Sequence, residues 1–392
     1  MSLETWRSRP YLLLFPLGCL LAWAGVLHWL LHALGLLADY RPVFHAITQI
    51  QGFLVCFALG FLLTAIPRRT GTAPPAGWEL GVALIAPVGT AAAAWLERFA
   101  LSQVFWIALV LMLLRFMVRR FLDSEARRKP PNSFLWIPIS FALGLTGSLL
   151  IAAYAVLGDE YFRLHELGRL FLLQGLFVGL VLGLSGMVLP LVTRGESSRD
   201  ASTTPRDRLE RVAHLAAALL FAGSFLIETQ LSLRGGLALR ALLTLVLLLA
   251  SARIWRPPSV PGWHRWLVWL GAWMIPLGYV VAAVFPAQKK AGLHVVFLGG
   301  FALMALSVGL HVTLAHGGYE RLIRGRSWRV AAFGGLLLLA MVLRSLVDFD
   351  PPRFFLWIGC SAAAFLVATL LWATVVLPRM WRQASSPREP PS

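Results

Sequence analysis

The stretch Gly52–Pro67 reads Gly-Phe-Leu-Val-Cys-Phe-Ala-Leu-Gly-Phe-Leu-Leu-Thr-Ala-Ile-Pro, with no charged side chain and a single hydroxyl. It sits in an apolar run from 43 to 66. A helix of about 20 such residues crosses the roughly 30 Å hydrocarbon core of a bilayer. Outward from this stretch the same texture recurs, at 11–37, 78–96, 101–118, 134–157, 168–192, 212–231, 236–254, 264–285, 292–315, 328–347 and 354–377. Breakers mark the joints: Arg68-Arg69-Thr70-Gly71, Pro130-Pro131, Pro257-Pro258 and Pro351-Pro352. The twelve runs predict an all-α polytopic membrane helix bundle of about twelve transmembrane helices. One integral membrane domain would span residues 1–392, with no separate soluble domain. Runs 101–118 and 236–254 are the least regular, because Arg115 and Arg240 fall inside them.

Composition agrees. Apolar residues make up 58% of the 392 residues, mean hydropathy is +0.73, and only 14% of residues are charged, against about 25% in soluble domains. The net charge of +17 would fit nucleic acid, but the arginines sit in short connections between apolar runs, which argues against it. That pattern orients a membrane protein and meets anionic lipid headgroups. With both termini cytoplasmic, 25 of the 35 basic residues fall on the inner side, Arg127, Arg128 and Arg388 among them. The expected location is the bacterial cytoplasmic (inner) membrane.

Cys19, Cys56 and Cys360 lie in separate apolar runs and read as buried small hydrophobes. No Cys-x-x-Cys occurs, so covalent c-type haem, a thiol redox pair and a Cys-based zinc site are disfavoured. The basic N-terminus, with Arg7 and Arg9, resembles a signal peptide, but no small-x-small cleavage site follows it, and an uncleaved first helix is expected. Soluble-enzyme fingerprints are absent.

An internal echo links three runs. The second reads Gly52-x7-Gly60-x6-Pro67 and the sixth Gly175-x7-Gly183-x6-Pro190; the tenth, with Gly300 followed by Gly309, is looser. The spacing of four helices makes spans 2, 6 and 10 equivalent members of a possible four-helix repeat. Gly52, Gly60, Gly175, Gly183, Gly299 and Gly300 are small residues suited first to close helix packing. Near His45 and His294 they could also let a flat macrocycle approach the backbone.

The nine histidines are the chemistry-bearing residues. A polar ring in hydrocarbon is costly unless paired, and imidazole is a common ligand of haem iron and copper. In the stated orientation His28, His32, His45, His165 and His294 gather near the basic-poor leaflet, where two or more could share a metal. Interfacial comfort explains each singly, and Trp23 and Trp29 flank His28 and His32 as an aromatic belt would. His214 and His264 follow polar loops and are expected at the surface. His311 and His316, five apart, share a helical face poorly. Glu228 is the least expected carboxylate; it could handle protons or support a ligand, although pairing with Arg234 is the simpler reading. Gln49, Gln51, Gln174 and Thr64 could orient an imidazole or a haem propionate, or bond between helices. The remaining mid-span residues look almost wholly apolar.

Two blocks resemble the NnrS family, membrane proteins described as containing haem and copper and linked to nitric oxide and denitrification. Gly60-Phe61-Leu62-Leu63-Thr64-Ala65-Ile66-Pro67-Arg68-Arg69-Thr70-Gly71 resembles its G-F-L-L-T-A-[VI]-P-x-x-T-G segment. His294-Val295-Val296-Phe297-Leu298-Gly299-Gly300, with His316-Gly317-Gly318, is similar to its H-A-x-x-x-G-x-x-G…G-H-T-G stretch. The resemblance implies a twelve-helix architecture, a haem or copper cofactor, and His45, His294 and His316 as ligands. It implies nitric oxide or a metal–nitrosyl species as the partner. The family's H-A-H-E-M motif is His45-Ala46-Ile47-Thr48-Gln49 here, so a second histidine and a glutamate are missing. A centre lost there could have moved to His28, His32 or His165. His311 stands where the family tends to have arginine. Two other classes stay open: a transporter with histidine proton relays, and an assembly factor for a respiratory enzyme.

Overall fold

The computed structural model describes residues 3–123 and 129–385; Arg127, Arg128 and Arg388, counted above toward the basic-rich face, lie outside them. Among the described residues, twelve helices are long and apolar enough to cross a membrane. They are α1 Tyr11–Ala33, α2 Pro42–Thr70, α3 Gly77–Trp95, α4 Phe99–Phe121, α5 Asn132–Leu157, α6 Asp159–Arg194, α7 Pro205–Leu231, α8 Leu233–Ala252, α9 Trp263–Val284, α10 Pro286–His316, α11 Trp328–Phe349 and α12 Pro351–Gln383. No strand occurs among the described residues. Several helices outrun their apolar stretches because polar residues can begin or end a helix beyond hydrocarbon. Thr204, for instance, caps α7 by accepting a hydrogen bond from the Asp207 backbone N–H at 3.3 Å.

Helix packing recurs with a four-helix period. In each unit the first helix packs on the second (α1–α2, α5–α6, α9–α10) and the third on the fourth (α3–α4, α7–α8, α11–α12). The second also meets the fourth (α2–α4, α6–α8, α10–α12). Each fourth helix then packs on the next unit's first, α4 on α5 and α8 on α9, and α12 returns to α1 to close a ring.

The second helices occupy the centre. In α2, α6 and α10, 83%, 72% and 72% of the most apolar stretch is buried, against 33–61% in the other nine. The same three carry π-helical turns within the membrane, at Thr48–Leu54, Phe171–Gly175 and Val295–Ala302. Further π turns end α7 and α8. A π turn inserts an extra residue per turn and re-aims the side chains around it.

Small residues let the helices close up. A Cβ on Gly147 of α5 would stand 2.5 Å from the Gly168 carbonyl of α6, and one on Gly278 of α9 would stand 2.6 Å from the Gly292 carbonyl of α10. Gly52 abuts Leu21, Gly60 Phe15, Gly175 Leu143, Gly183 Ile137, Gly299 Met341 and Gly300 Ile275. These glycines are spent on neighbouring helices, and none of Gly52, Gly175, Gly299 and Gly300 lines the larger central cavity described below. They therefore clear no path there for a macrocycle.

The mid-membrane interior is less apolar than its composition predicts. Gln51 of α2 donates to Gln103 of α4 at 3.0 Å, and Ser148 of α5 donates to the same Gln103 oxygen at 2.6 Å. Arg240 of α8 is fully buried. Cys19 and Cys56 are buried as expected, but Cys360 is exposed on the outer surface of α12.

Candidate functional site

Two cavities lie where α2, α6 and α10 face one another. The smaller, about 110 Å³, sits toward the basic-rich face and is apolar, walled by Phe57, Phe61, Phe177, Leu184, Phe301 and Val308. The larger, about 300 Å³, opens toward the basic-poor face and lies at the lower end of the ligand-pocket range of about 300–1,000 Å³. Leu54 lines both.

His45 and His294 both line the larger cavity. Arg41-Pro42 starts α2, and Pro42 at its first turn sets the helix so that His45 faces α1. There the His45 Nδ1–H donates to the Gly25 carbonyl at 2.7 Å, and the ring packs on Trp29 with centroids 4.4 Å apart. His294 ends a short α-helical segment just before the π turn, and its Nδ1–H donates to the Lys290 carbonyl at 2.7 Å. A carbonyl can only accept, so in the neutral ring each bond selects the Nδ1–H tautomer, whose Nε2 carries a lone pair. Metal-binding histidines are commonly oriented through such a bond on the other nitrogen.

The rest of the wall is aromatic, aliphatic and cationic. Phe53, Phe297 and Phe365 supply ring faces, while Arg169, Lys289, Lys290 and Arg344 supply positive charge. Gln49 lines the cavity, with its amide donating to the Ala22 carbonyl at 3.0 Å. Burial holds the phenol of Tyr40, at the rim, above its usual range and opposes its ionisation, so it remains an O–H donor. Gln174 also lines the cavity and accepts from Arg240 at 2.7 Å. Glu228 bridges Arg240 and Lys289, the latter at 2.9 Å. Its partners are thus these two cations rather than Arg234. They tie the cavity wall to α7 and α8.

The other histidines are dispersed. His28 is buried beside the cavity, its ring 6.4 Å from that of His45, with both nitrogens lacking a hydrogen-bond partner. His32 bonds to the Leu37 carbonyl at 3.0 Å and packs on Tyr40 and Phe355. His165 packs between Tyr154 and Phe162 with Nδ1 unpartnered. His316 is 22 residues beyond His294 on the same helix, about 33 Å along it. It lies against Tyr11 at the basic-rich end and cannot share a centre with the other two. His311 forms a half-buried pair with His264, Nδ1 to Nε2 at 3.1 Å. His264 and His214 are buried, at 2% and 6% exposure, because helices pack over both. His214 accepts from the Trp136 indole N–H at 3.2 Å. Thr64 is satisfied locally, donating to the Gly60 carbonyl at 2.7 Å. Among the described residues, no group of three or more His, Cys, Asp or Glu converges to hold a metal ion.

Sequence reading missed the cations. Arg169, Lys289, Lys290 and Arg344 come from three helices, and no spacing along the chain joins them. One signal was available, since all four belong to the ten basic residues left on the face that should be poor in them.

Fold and site together define a class: a twelve-helix membrane protein whose three central helices enclose a chamber lined by imidazoles and cations. The chain belongs to the NnrS family, whose description, NnrS protein, matches residues 5–383. No curated protein matches the chain.

Proposed function

We propose that this NnrS family member is an inner-membrane metalloprotein that holds haem in the larger cavity and bears on the nitric oxide response of denitrifying cells. The observation that carries this reading is the pair His45 and His294, lining one cavity with both Nδ1 atoms tied to backbone carbonyls. Two neutral nitrogen donors, aromatic walls and a cationic rim suit an iron porphyrin bearing carboxylates. Copper is the second candidate. It takes two or three imidazoles, and His28 beside His45 is the histidine placed to extend the donor set. Bound haem would supply a metal centre, able to take a diatomic ligand where one of the two histidines alone holds the iron. His45 or His294 would hold the iron, and Trp29 and Gln49 would keep the His45 side of the wall in place.

The apolar chamber below Leu54 supports the nitric oxide reading, because a neutral diatomic partitions into such a space and reaches it through lipid without a water channel. On the same reading both termini are cytoplasmic, the cavity opens toward the periplasm, and α2, α6 and α10 are equivalent members of a threefold repeat. The recurring pairing order and the shared π turns support that equivalence.

The test is purification in detergent after expression with haem precursor and copper supplied. The expected result is a Soret band with bound iron, with or without copper. A colourless preparation containing neither metal would end this reading. The buried polar residues Arg240, Gln51 and Gln103 favour a transporter as the second reading. Substrate accumulation in proteoliposomes by metal-free protein would select it.

A further inference from the structure

The larger cavity holds more positive charge than its surroundings balance. Arg169, Lys289, Lys290 and Arg344 line it, and no carboxylate does. Lys289 is neutralised from behind by Glu228. Arg344 has a counter-charge in Asp348, but its side chain is nine-tenths buried and its Nε and Nη1 have no hydrogen-bond partner. Asp348, one turn on, stands 4.0 Å from Nη1, beyond hydrogen-bond reach. A guanidinium carries five N–H donors in a fixed fork that matches a carboxylate. Leaving those buried N–H donors without an acceptor is costly, and an arginine so placed in a cavity wall points to an anionic acceptor in the cavity.

We propose that the cationic lining of this cavity, Arg344 with Lys290 and Arg169, forms an oxyanion site that receives carboxylates, with Arg344 as its main anchor. The proposal deepens the reading above and rests on it for one source of those carboxylates, the propionates of haem. The other source is a free inorganic or carboxylic oxyanion in the same cavity. Either would turn the orphaned N–H groups into charge-assisted hydrogen bonds. Half of the ten basic residues on the basic-poor face then cease to be anomalous, because four of them furnish this cavity and Arg240 braces it.

The experiment titrates metal-free protein in detergent with iron protoporphyrin and, separately, with its dimethyl ester, following the Soret band. Formate and nitrite alone are titrated in parallel against the thermal unfolding midpoint. Wild-type protein is expected to bind the free acid at least about tenfold more tightly than the ester. Arg344→Gln should erase that preference, and Arg344→Lys should retain part of it. The ester comparison needs no variant, so it stands even if Arg344→Gln does not fold. Equal binding of acid and ester by wild type, with no shift from either anion, would overturn the site while leaving haem binding intact. If neither porphyrin binds but formate or nitrite raises the midpoint in wild type and less so in Arg344→Lys, the site stands with a free oxyanion as occupant and the haem reading fails. If neither porphyrin nor anion binds, both fall.

Discussion

His45 and His294 are separated by more than half the chain, yet they meet one cavity in the same chemical state. Each is tied at Nδ1 to a backbone carbonyl 2.7 Å away. Alanine at either position should abolish or shift the Soret band of the purified protein while its gel-filtration profile stays monodisperse. His316→Ala should leave the spectrum alone, because that ring is about 33 Å away along α10. An unchanged spectrum in both His45→Ala and His294→Ala would remove these rings as ligands. A second prediction concerns Glu228. Glu228→Gln strips the shared counter-charge from Arg240, which is fully buried, and from Lys289. An uncompensated buried charge costs about 3–5 kcal/mol, so thermal unfolding in detergent should drop well below wild type. Glu228→Gln with Arg240→Met should recover part of the loss, since the lone charge is gone.

At the scale of elements, the glycine spacing in α2 and α6 was readable because small residues in apolar helices have few uses other than close approach. Their partners were not readable, since a spacing marks a smooth face without saying what presses on it. The α9–α10 crossing shows how tight the contact is. A Cβ at Gly278 meets the Gly292 carbonyl at 2.6 Å, a backbone atom that cannot swing aside. Gly278→Val should therefore destabilise the protein by at least about 1–3 kcal/mol, lowering the midpoint measured by intrinsic fluorescence. Gly81→Ala on α3, where nothing lies within 4 Å, is the control and should be neutral or slightly stabilising. The π turns were not foreseeable, because apolar periodicity does not distinguish an α turn from a π turn.

For the whole molecule, the ring of three four-helix units places α2, α6 and α10 where side chains from all three units meet, and both cavities lie there. Orientation is tested at this scale. In a Cys360→Ser background, a cysteine at Leu36, 72% exposed on the α1–α2 turn, should react with a membrane-impermeant maleimide in spheroplasts. A cysteine at Leu122, on the opposite face and 78% exposed, should react only after permeabilisation. The reverse labelling pattern would turn the cavity toward the cytoplasm.

By itself the sequence determined the twelve helices long and apolar enough to cross a bilayer among the described residues, because apolar length against hydrocarbon thickness is a local property of each run. It also pointed to His45 and His294, because a polar ring in an apolar run is conspicuous wherever the fold places it. Only the tertiary structure decided that these two line one cavity while His316 does not, that Arg240 and Glu228 pair, and that four cations from α6, α10 and α11 converge. Helix packing brings residues far apart in the chain to one depth and one side, and a charge in a helix near the interface looks the same in sequence whether it faces lipid headgroups or a central chamber.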